Sequence, residues 1–157
     1  MGVRTRQLQR DFDYGNLVDN QLRSWNHIGL FSTHLVDLES YEAFPGLLDD
    51  SASAESRARA YLDVNCAHCH QESGPTNVMV DLRYDVAADS MNAFGVPPLG
   101  DDLGLENALL IRPGVKESSV LWERMRRLDA TRMPSLGSTE VDAAAVQAVG
   151  EWIDASE

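Results

Sequence analysis

The chain has two cysteines, almost no lysine and no long apolar run. Its 157 residues include 13 basic and 25 acidic side chains, and Lys116 is the only lysine. The formal charge of −12 repels the phosphates of nucleic acids and anionic lipid headgroups, so we expect no nucleic-acid partner. Even the longest uninterrupted aliphatic stretches are short, such as residues 108–111, whereas a membrane span needs about 20 apolar residues. We therefore expect no membrane span.

A secretory signal is also missing from the first ten residues, MGVRTRQLQR, which contain no apolar core segment. Hydrophobic residues make up 43% of the chain, and this content argues against a wholly disordered protein. A length of 157 residues leaves room for one globular domain of ordinary size with an extension.

Both cysteines fall within one five-residue motif, which runs from Cys66 to His70 and reads C-A-H-C-H. The C-x-x-C-H spacing is typical of covalent haem attachment. Two thiols three positions apart can add to the two vinyl groups on one edge of a haem, and the imidazole that follows then reaches the iron. The motif predicts thioether bonds from Cys66 and Cys69 and proximal ligation of the iron by His70.

Two other uses of the cysteines stay open at this point. A C-x-x-C pair also serves thiol redox chemistry or supplies half of a zinc site. A zinc site would need further ligands from among the four histidines, and the chain has no second C-x-x-C and no H-x-x-x-H pair. A thioredoxin-like site would need alternating strands and helices around it, whereas the residues before Cys66 have a helical pattern.

A six-coordinate haem needs a distal ligand, for which the chain offers five methionines. Met133 precedes Pro134 in a loop between two predicted helices, and the proline restricts Met133 to extended geometry. The chain between His70 and Met133 is long enough to reach the far face of a porphyrin. Met125 lies in an apolar helical stripe and is expected to fill the core. We therefore predict Met133 as the distal ligand.

Two helices are predicted to flank the motif and the Met-Pro loop. The first begins near residues 50–53, where small polar side chains can cap it, and runs to Asp63. The last begins with Thr139 and Asp142 as a capping box. Its apolar face consists of Val141, Ala145, Ala148, Val149, Trp152 and Ile153.

The order of these features resembles class I cytochromes c, in which C-x-x-C-H follows a short helix and Met-Pro precedes a final amphipathic helix. The resemblance covers about Ser53 to the C terminus. It implies an all-α, class I cytochrome c fold whose first and last helices cross, with Ala58 meeting Trp152 at the crossing. The run from Arg57 to His70 further resembles the C-terminal part of a bacterial family of exported c-type cytochromes, often fused to larger oxidoreductase-like proteins.

The segment from Leu110 to Met125 resembles the P-G-x-x-x-S-x-L segment of many bacterial c-type domains, which also carry M-P-x-L-G and a final W-I. This resemblance implies that Pro113 lies near the haem and that Trp122 packs on the ring or donates its indole N–H to a haem propionate, with packing in the core as the favoured role. Arg112 would be placed to neutralise a haem propionate. These three residues are therefore candidate cofactor-binding residues.

We expect two parts, an N-terminal helical extension with an acidic connector over residues 1–50 and a cytochrome c domain over residues 51–157. The extension is predicted to be one helix that Gly29 ends. Its apolar positions at helical spacing are Leu17, Val18, Leu22, Trp25 and Ile28.

The resemblance implies electron transfer by a single haem c, without catalytic residues, in the periplasm or another extracytoplasmic compartment. The domain would act as a carrier or as the electron-accepting part of a larger oxidoreductase. Its acidic charge favours redox partner proteins with a basic docking surface. An alternative stays open: if Met133 leaves the iron, the vacant position suits gas sensing or peroxide chemistry.

Overall fold

The computed structural model describes residues 3–157, and the chain divides between Phe44 and Pro45 into two compact units. Helices account for 32% of the chain and strands with bridges for 6%. The mostly helical class is confirmed. The strict all-α class is wrong in one respect, because the smaller unit contains a two-stranded sheet.

The smaller unit is built around a β-hairpin and a short helix. Its elements are α1 (Thr5–Leu8), β1 (Asp11–Asp13), β2 (Val18–Asn20), α2 (Gln21–His27) and a 3-10 helix over Leu38–Ser40. The antiparallel register pairs Asp11 with Asn20, Phe12 with Asp19 and Asp13 with Val18. Gly15 adopts a φ of +88° in the turn, and the Tyr14 N–H donates to the Leu17 carbonyl at 2.9 Å. A Gly-Asn pair between extended segments is a hairpin signal.

The single N-terminal helix predicted over residues 17–28 is wrong for its first part. Residues 17–20 belong to the hairpin turn and β2 instead. The Asn20 side chain accepts a hydrogen bond from the Arg23 N–H at 3.1 Å and so caps α2. The predicted end is confirmed, because Gly29 follows the helix with a φ of +72°.

Three α-helices organise the larger unit. They are α3 (Ala54–Asn65), α4 (Val120–Met125) and α5 (Ala143–Asp154), with 3-10 helices over Ala88–Ser90 and Lys116–Ser118. The Ser53 hydroxyl accepts the Ser56 N–H at 3.1 Å, so α3 begins where the sequence predicts. The Asp142 carboxylate accepts the Ala145 N–H at 3.0 Å and caps α5 directly. The predicted capping box is therefore wrong, because Asp142 rather than Thr139 is the capping residue.

Helices α3 and α5 pack against each other and form the centre of the core. Ala58 and Leu62 are buried members of this core from α3. Val149 and Trp152 are buried members from α5, so the predicted partners of the two helices share one cluster. The other buried members are Ala67, Val80, Leu82, Met91, Ala93, Ile111, Trp122 and Ile153. Val141, which the sequence pattern assigns to this apolar face, is exposed and lies outside the helix.

The long segment between α3 and α4 has little regular structure and is held by isolated backbone pairs. Phe94 pairs with Ile111, and Leu109 pairs with Ser119. Ile111 is fully buried, so the first pair joins the irregular segment directly to the core.

The longest helices, α3 and α5, contain 12 residues each. Within residues 3–157, no helix is both long enough and apolar enough to cross a membrane.

Gly150 allows α5 to approach the side chain of Trp122 closely. Trp122 is buried, and its indole N–H donates to the Val146 carbonyl at 2.9 Å. A Cβ at position 150 would lie 2.9 Å from Trp122 Nε1 and 2.9 Å from Lys116 Cδ. The lysine chain can move aside, but the hydrogen-bonded indole cannot move without losing its partner. The packing therefore requires glycine at this position.

We predict that Gly150→Ala lowers the melting temperature by about 3 °C, because an overpacked contact costs about 1–3 kcal/mol. The sign is the test, since alanine in a helix without a close neighbour stabilises by about 1 kcal/mol relative to glycine. Thermal denaturation followed by circular dichroism measures the change. The control is Gln147→Ala on the exposed side of the same helix, which should leave the melting temperature within about 1 °C. A higher melting temperature for Gly150→Ala would contradict the close packing.

Candidate functional site

The C-x-x-C-H motif begins at the C-terminal end of α3 and closes into a tight turn. The N–H groups of Cys66 and Ala67 both donate to the Leu62 carbonyl, at 2.9 and 3.0 Å, so helix α3 holds the start of the motif. The Cys66 carbonyl then accepts hydrogen bonds from the N–H groups of Cys69 and His70, both at 3.0 Å. Both cysteines are free and half-buried. Helix α3 thus determines where the motif stands relative to the core.

The residues after the motif fold back onto it. A Cβ at position 74 would lie 2.2 Å from the Cys69 carbonyl oxygen, a distance that no side-chain carbon can adopt, so Gly74 is required there. The Leu82 N–H donates to the His70 carbonyl at 2.9 Å, and Leu82 is itself a core residue. The motif is therefore attached to the core on both sides.

The Cys66 thiol lies in an environment that disfavours the thiolate. Burial, followed by the nearby Cys69, raises the pKa of Cys66 to about 12. Cys66 also stands at the C-terminal end of α3, where the helix dipole is negative and opposes a thiolate. Redox-active C-x-x-C sites need the opposite, a thiol with a lowered pKa. This environment weighs against the thiol redox alternative.

The zinc alternative also lacks a donor set. Within the part of the chain that the structure describes, no three His, Cys, Asp or Glu side chains come together as a possible metal site. A structural zinc site needs four such ligands. The two thiols therefore stand without the partners that zinc would require.

His70 carries a neutral imidazole with an unused ring nitrogen. Burial, followed by the nearby His68, lowers the pKa of His70 below its usual value. Its Nδ1 is buried, and no hydrogen-bond partner for it lies within residues 3–157. A neutral imidazole is the form that ligates a metal.

Met133 lies in the loop between α4 and α5 and lines an open cavity of about 280 Å³. Its N–H donates to the Arg124 carbonyl at 2.9 Å, and the Met133–Pro134 peptide bond is cis. Helices α3 and α5 also line this cavity, through Tyr61, Asn65 and Val146. Helix α3, which ends in the C-x-x-C-H motif, and helix α5, which packs on it, therefore both line the cavity that Met133 lines.

Met125 lines the same cavity, which the sequence pattern did not reveal. It is half-buried and packs against the core cluster, so its predicted packing role is also seen. Met79 is 77% exposed and Met91 is a core residue at 1% exposure, so neither lines the cavity. Met1 lies outside the described residues. Met125 and Met133 are thus the two thioethers that share this cavity.

Only one of the four residues predicted to attach the haem or ligate its iron, Met133, lines the cavity. Asn65, the residue before Cys66, belongs to its wall, whereas Cys66, Cys69 and His70 do not. Tyr61 also lines the wall, and burial and the negative Asp142 raise the pKa of its phenol to about 12, so the phenol stays neutral. Tyr61 and Asn65 are four residues apart on α3, and helical spacing could have identified them as one face.

The three remaining candidates make contacts within the protein. The Arg112 guanidinium donates to the Asn107 carbonyl at 2.9 Å, and its backbone N–H donates to the Ser119 hydroxyl at 2.9 Å. Pro113 precedes Gly114, whose N–H donates to the Ile153 carbonyl at 2.9 Å near the end of α5. The Ser119 hydroxyl is thus bound to the Pro-Gly turn and does not cap α4.

Trp122 is enclosed by backbone and cations. Its indole N–H donates to the Val146 carbonyl. The guanidinium carbon of Arg126 lies 4.3 Å from the ring centroid, and the ammonium nitrogen of Lys116 lies 5.9 Å from it. Its polar atom is fully used inside the protein. These contacts favour the predicted core-packing role over a bond to a propionate.

We predict that Cys66, as the single thiol in a Cys69→Ser variant without haem, reacts about 30-fold more slowly with iodoacetamide when native than in 6 M guanidinium chloride. Burial, the larger cause of the raised pKa of Cys66, remains in this variant and lowers the thiolate fraction, and higher intrinsic nucleophilicity offsets only part of this loss. Quenched alkylation followed by mass spectrometry at pH 8 measures both rates. Equal rates in the two states would show that Cys66 is not buried.

Comparisons of this chain with protein-family models, with curated proteins and with solved structures each found no significant match.

Proposed function

We propose that residues 45–157 form a class I c-type cytochrome domain that transfers electrons through one covalently bound haem c. In this proposal Cys66 and Cys69 carry the thioether bonds, and His70 and Met133 ligate the iron. The protein needs no catalytic residue of its own, and we assign it as an electron-transfer protein or domain rather than an enzyme.

One arrangement carries the proposal: the same pair of packed helices, α3 and α5, supports both the C-x-x-C-H turn and the Met133 cavity. Helix α3 ends in the motif and contributes Tyr61 and Asn65 to the cavity wall. Helix α5 packs on α3 and contributes Val146. A haem between His70 and Met133 would need support at both faces, and this pair of helices is the element common to both.

The donor set fits a haem c. The two thiols are free, the His70 imidazole is neutral with a buried and unpartnered Nδ1, and Met133 offers a thioether at a cavity. Covalent haem supplies a one-electron Fe(III)/Fe(II) couple when bound. Among these donors His70 is held by the hydrogen bond from its own N–H to Cys66, and Met133 by the hydrogen bond from its N–H to Arg124.

The ligand pair determines what the domain can do. A thioether favours ferrous iron and raises the potential relative to two histidines. An iron bound by both the His70 imidazole and the Met133 thioether would have no free place for a substrate. Electron transfer to and from partner proteins is the function that such a site supports.

Charge and maturation indicate the setting. The net charge of −12 favours partners with a basic docking surface and predicts faster association at low salt. Thioether attachment takes place outside the bacterial cytoplasm in the proteins that the motif resembles, so we place the domain in the periplasm or another extracytoplasmic compartment. There it acts as a carrier or as the electron-accepting domain of a larger oxidoreductase.

The decisive experiment is an optical spectrum of protein produced with haem maturation, recorded oxidised and reduced and again after denaturation. We expect haem that stays attached in denaturant and a far-red sulfur-to-iron band in the oxidised protein. Attached haem with a high-spin spectrum would favour the alternative, an open iron site for gas sensing or peroxide chemistry. A colourless protein would reject both haem functions.

We predict that Met133→Ala keeps covalent haem, loses the far-red band and lowers the reduction potential by about 100 mV or more, because the thioether is replaced by a harder ligand or by none. The matched control is Met125→Leu, which removes the other cavity thioether while keeping its volume. It should retain the band and the potential. Loss of the band in Met125→Leu with retention in Met133→Ala would assign the ligand to Met125 instead.

A further inference from the structure

The loop that carries Met133, residues 129–135, is held at both of its ends by one side chain. The Arg132 guanidinium donates from Nη1 to the Asp129 carbonyl at 3.1 Å and from Nη2 to the Ser135 carbonyl at 3.2 Å. The two carbonyls lie on either side of Met133 in the chain. Because arginine presents its donors in a rigid planar fork, the two bonds fix the spacing between the loop ends.

Arg124 attaches the same loop to α4. Its Nη1 donates to the Thr131 carbonyl at 2.8 Å, and its own carbonyl accepts the Met133 N–H at 2.9 Å. The side chain and the backbone of one helical residue therefore bind the loop two residues apart. Met133 cannot shift along the loop without breaking at least one of these bonds.

Shorter hydrogen bonds within the loop and next to it hold the remaining backbone around Met133. The Asp129 carboxylate accepts the Thr131 N–H at 2.8 Å and the Thr131 hydroxyl at 2.6 Å. The Ser138 hydroxyl donates to the Pro134 carbonyl at 2.6 Å. The backbone on each side of Met133 is thus hydrogen-bonded, although the loop contains no helix or strand.

We infer that Arg124 and Arg132 are positioning residues that keep the Met133 thioether at the cavity, where it would ligate the iron of a bound haem and keep small external ligands away from it. The inference rests on the proposed function, because it assigns what holds one of the proposed ligands. Neither arginine would contact the haem. Both act through hydrogen bonds to the backbone of residues 129–135.

In this inference the loop has two states: a closed state, in which Met133 is held in place, and an open state, in which Met133 is released. An external ligand binds the iron only when the loop is open, so its apparent affinity reports the open fraction. Removing one arginine that makes two charged hydrogen bonds should raise this fraction while the covalent haem and His70 stay in place. The arginines therefore control how selective the site is for electron transfer over ligand binding.

The test is a titration of the oxidised holoprotein with imidazole, which replaces a thioether and changes the optical spectrum. We expect Arg132→Gln to bind imidazole about ten-fold more tightly than the wild type, as the loss of charged hydrogen bonds at the loop predicts. Arg132→Lys keeps the charge, but a single ammonium cannot reproduce the fork, so it should also bind more tightly. The charge-matched control is Arg126→Gln, because Arg126 contacts Glu123 and Trp122 rather than the loop.

A second readout follows the loop directly. Hydrogen exchange of a peptide covering residues 129–135 should be faster in Arg132→Gln than in the wild type, because the Met133 amide is one of the bonds that opening breaks. Exchange in peptides from α3 and α5 should be unchanged, which separates local opening from general unfolding.

The outcomes separate the two proposals. A wild-type protein with a normal far-red band, together with unchanged imidazole affinity and loop exchange in Arg132→Gln, overturns the role of the arginines and leaves the proposed function intact. A wild-type protein without covalent haem or without the far-red band overturns the proposed function, and the positioning role falls with it. Equal tightening in Arg126→Gln would show a general charge effect and would also overturn the inference.

Discussion

The packing of α3 on α5 is the interaction on which the rest of the larger unit depends. Ala58 and Leu62 bury one face of α3 against Val149 and Trp152 of α5. That contact fixes the end of α3, from which the motif begins, and presents Val146 as the acceptor for the indole of Trp122. The long irregular segment and the loop after α4 then fold around a centre that is already built.

In the larger unit, arginine side chains carry charge and also donate hydrogen bonds to the backbone. Six arginines donate from their side chains to backbone carbonyls of the irregular segments. They are Arg57, Arg59, Arg112, Arg124, Arg127 and Arg132. Segments without helices or strands leave carbonyls that need donors, and a guanidinium can serve two at once. This role accounts for six of the twelve arginines in a strongly acidic chain that has one lysine.

Local signals made the two long helices predictable. The serine before α3 and the apolar spacing of α5 are short-range features, and both helices lie close to where the sequence places them. The N-terminal helix was overpredicted because helical spacing competed with Gly15 and Asn16, whose turn preference wins locally. The place of Met125 in the cavity and the contacts of Arg132 depend on how distant segments meet, and no local pattern encodes that.

The half-buried thiol at the end of α3 also bears on the order in which the protein is assembled. Cys66 packs against the core cluster and the pKa of its thiol is raised, so the thiol is less reactive once α3 is folded. On the proposed function, covalent loading is therefore favoured before the two helices pack rather than after. Folding of the chain without its cofactor and covalent attachment of the haem would then oppose each other: a chain that folds early would be a poorer substrate for haem attachment.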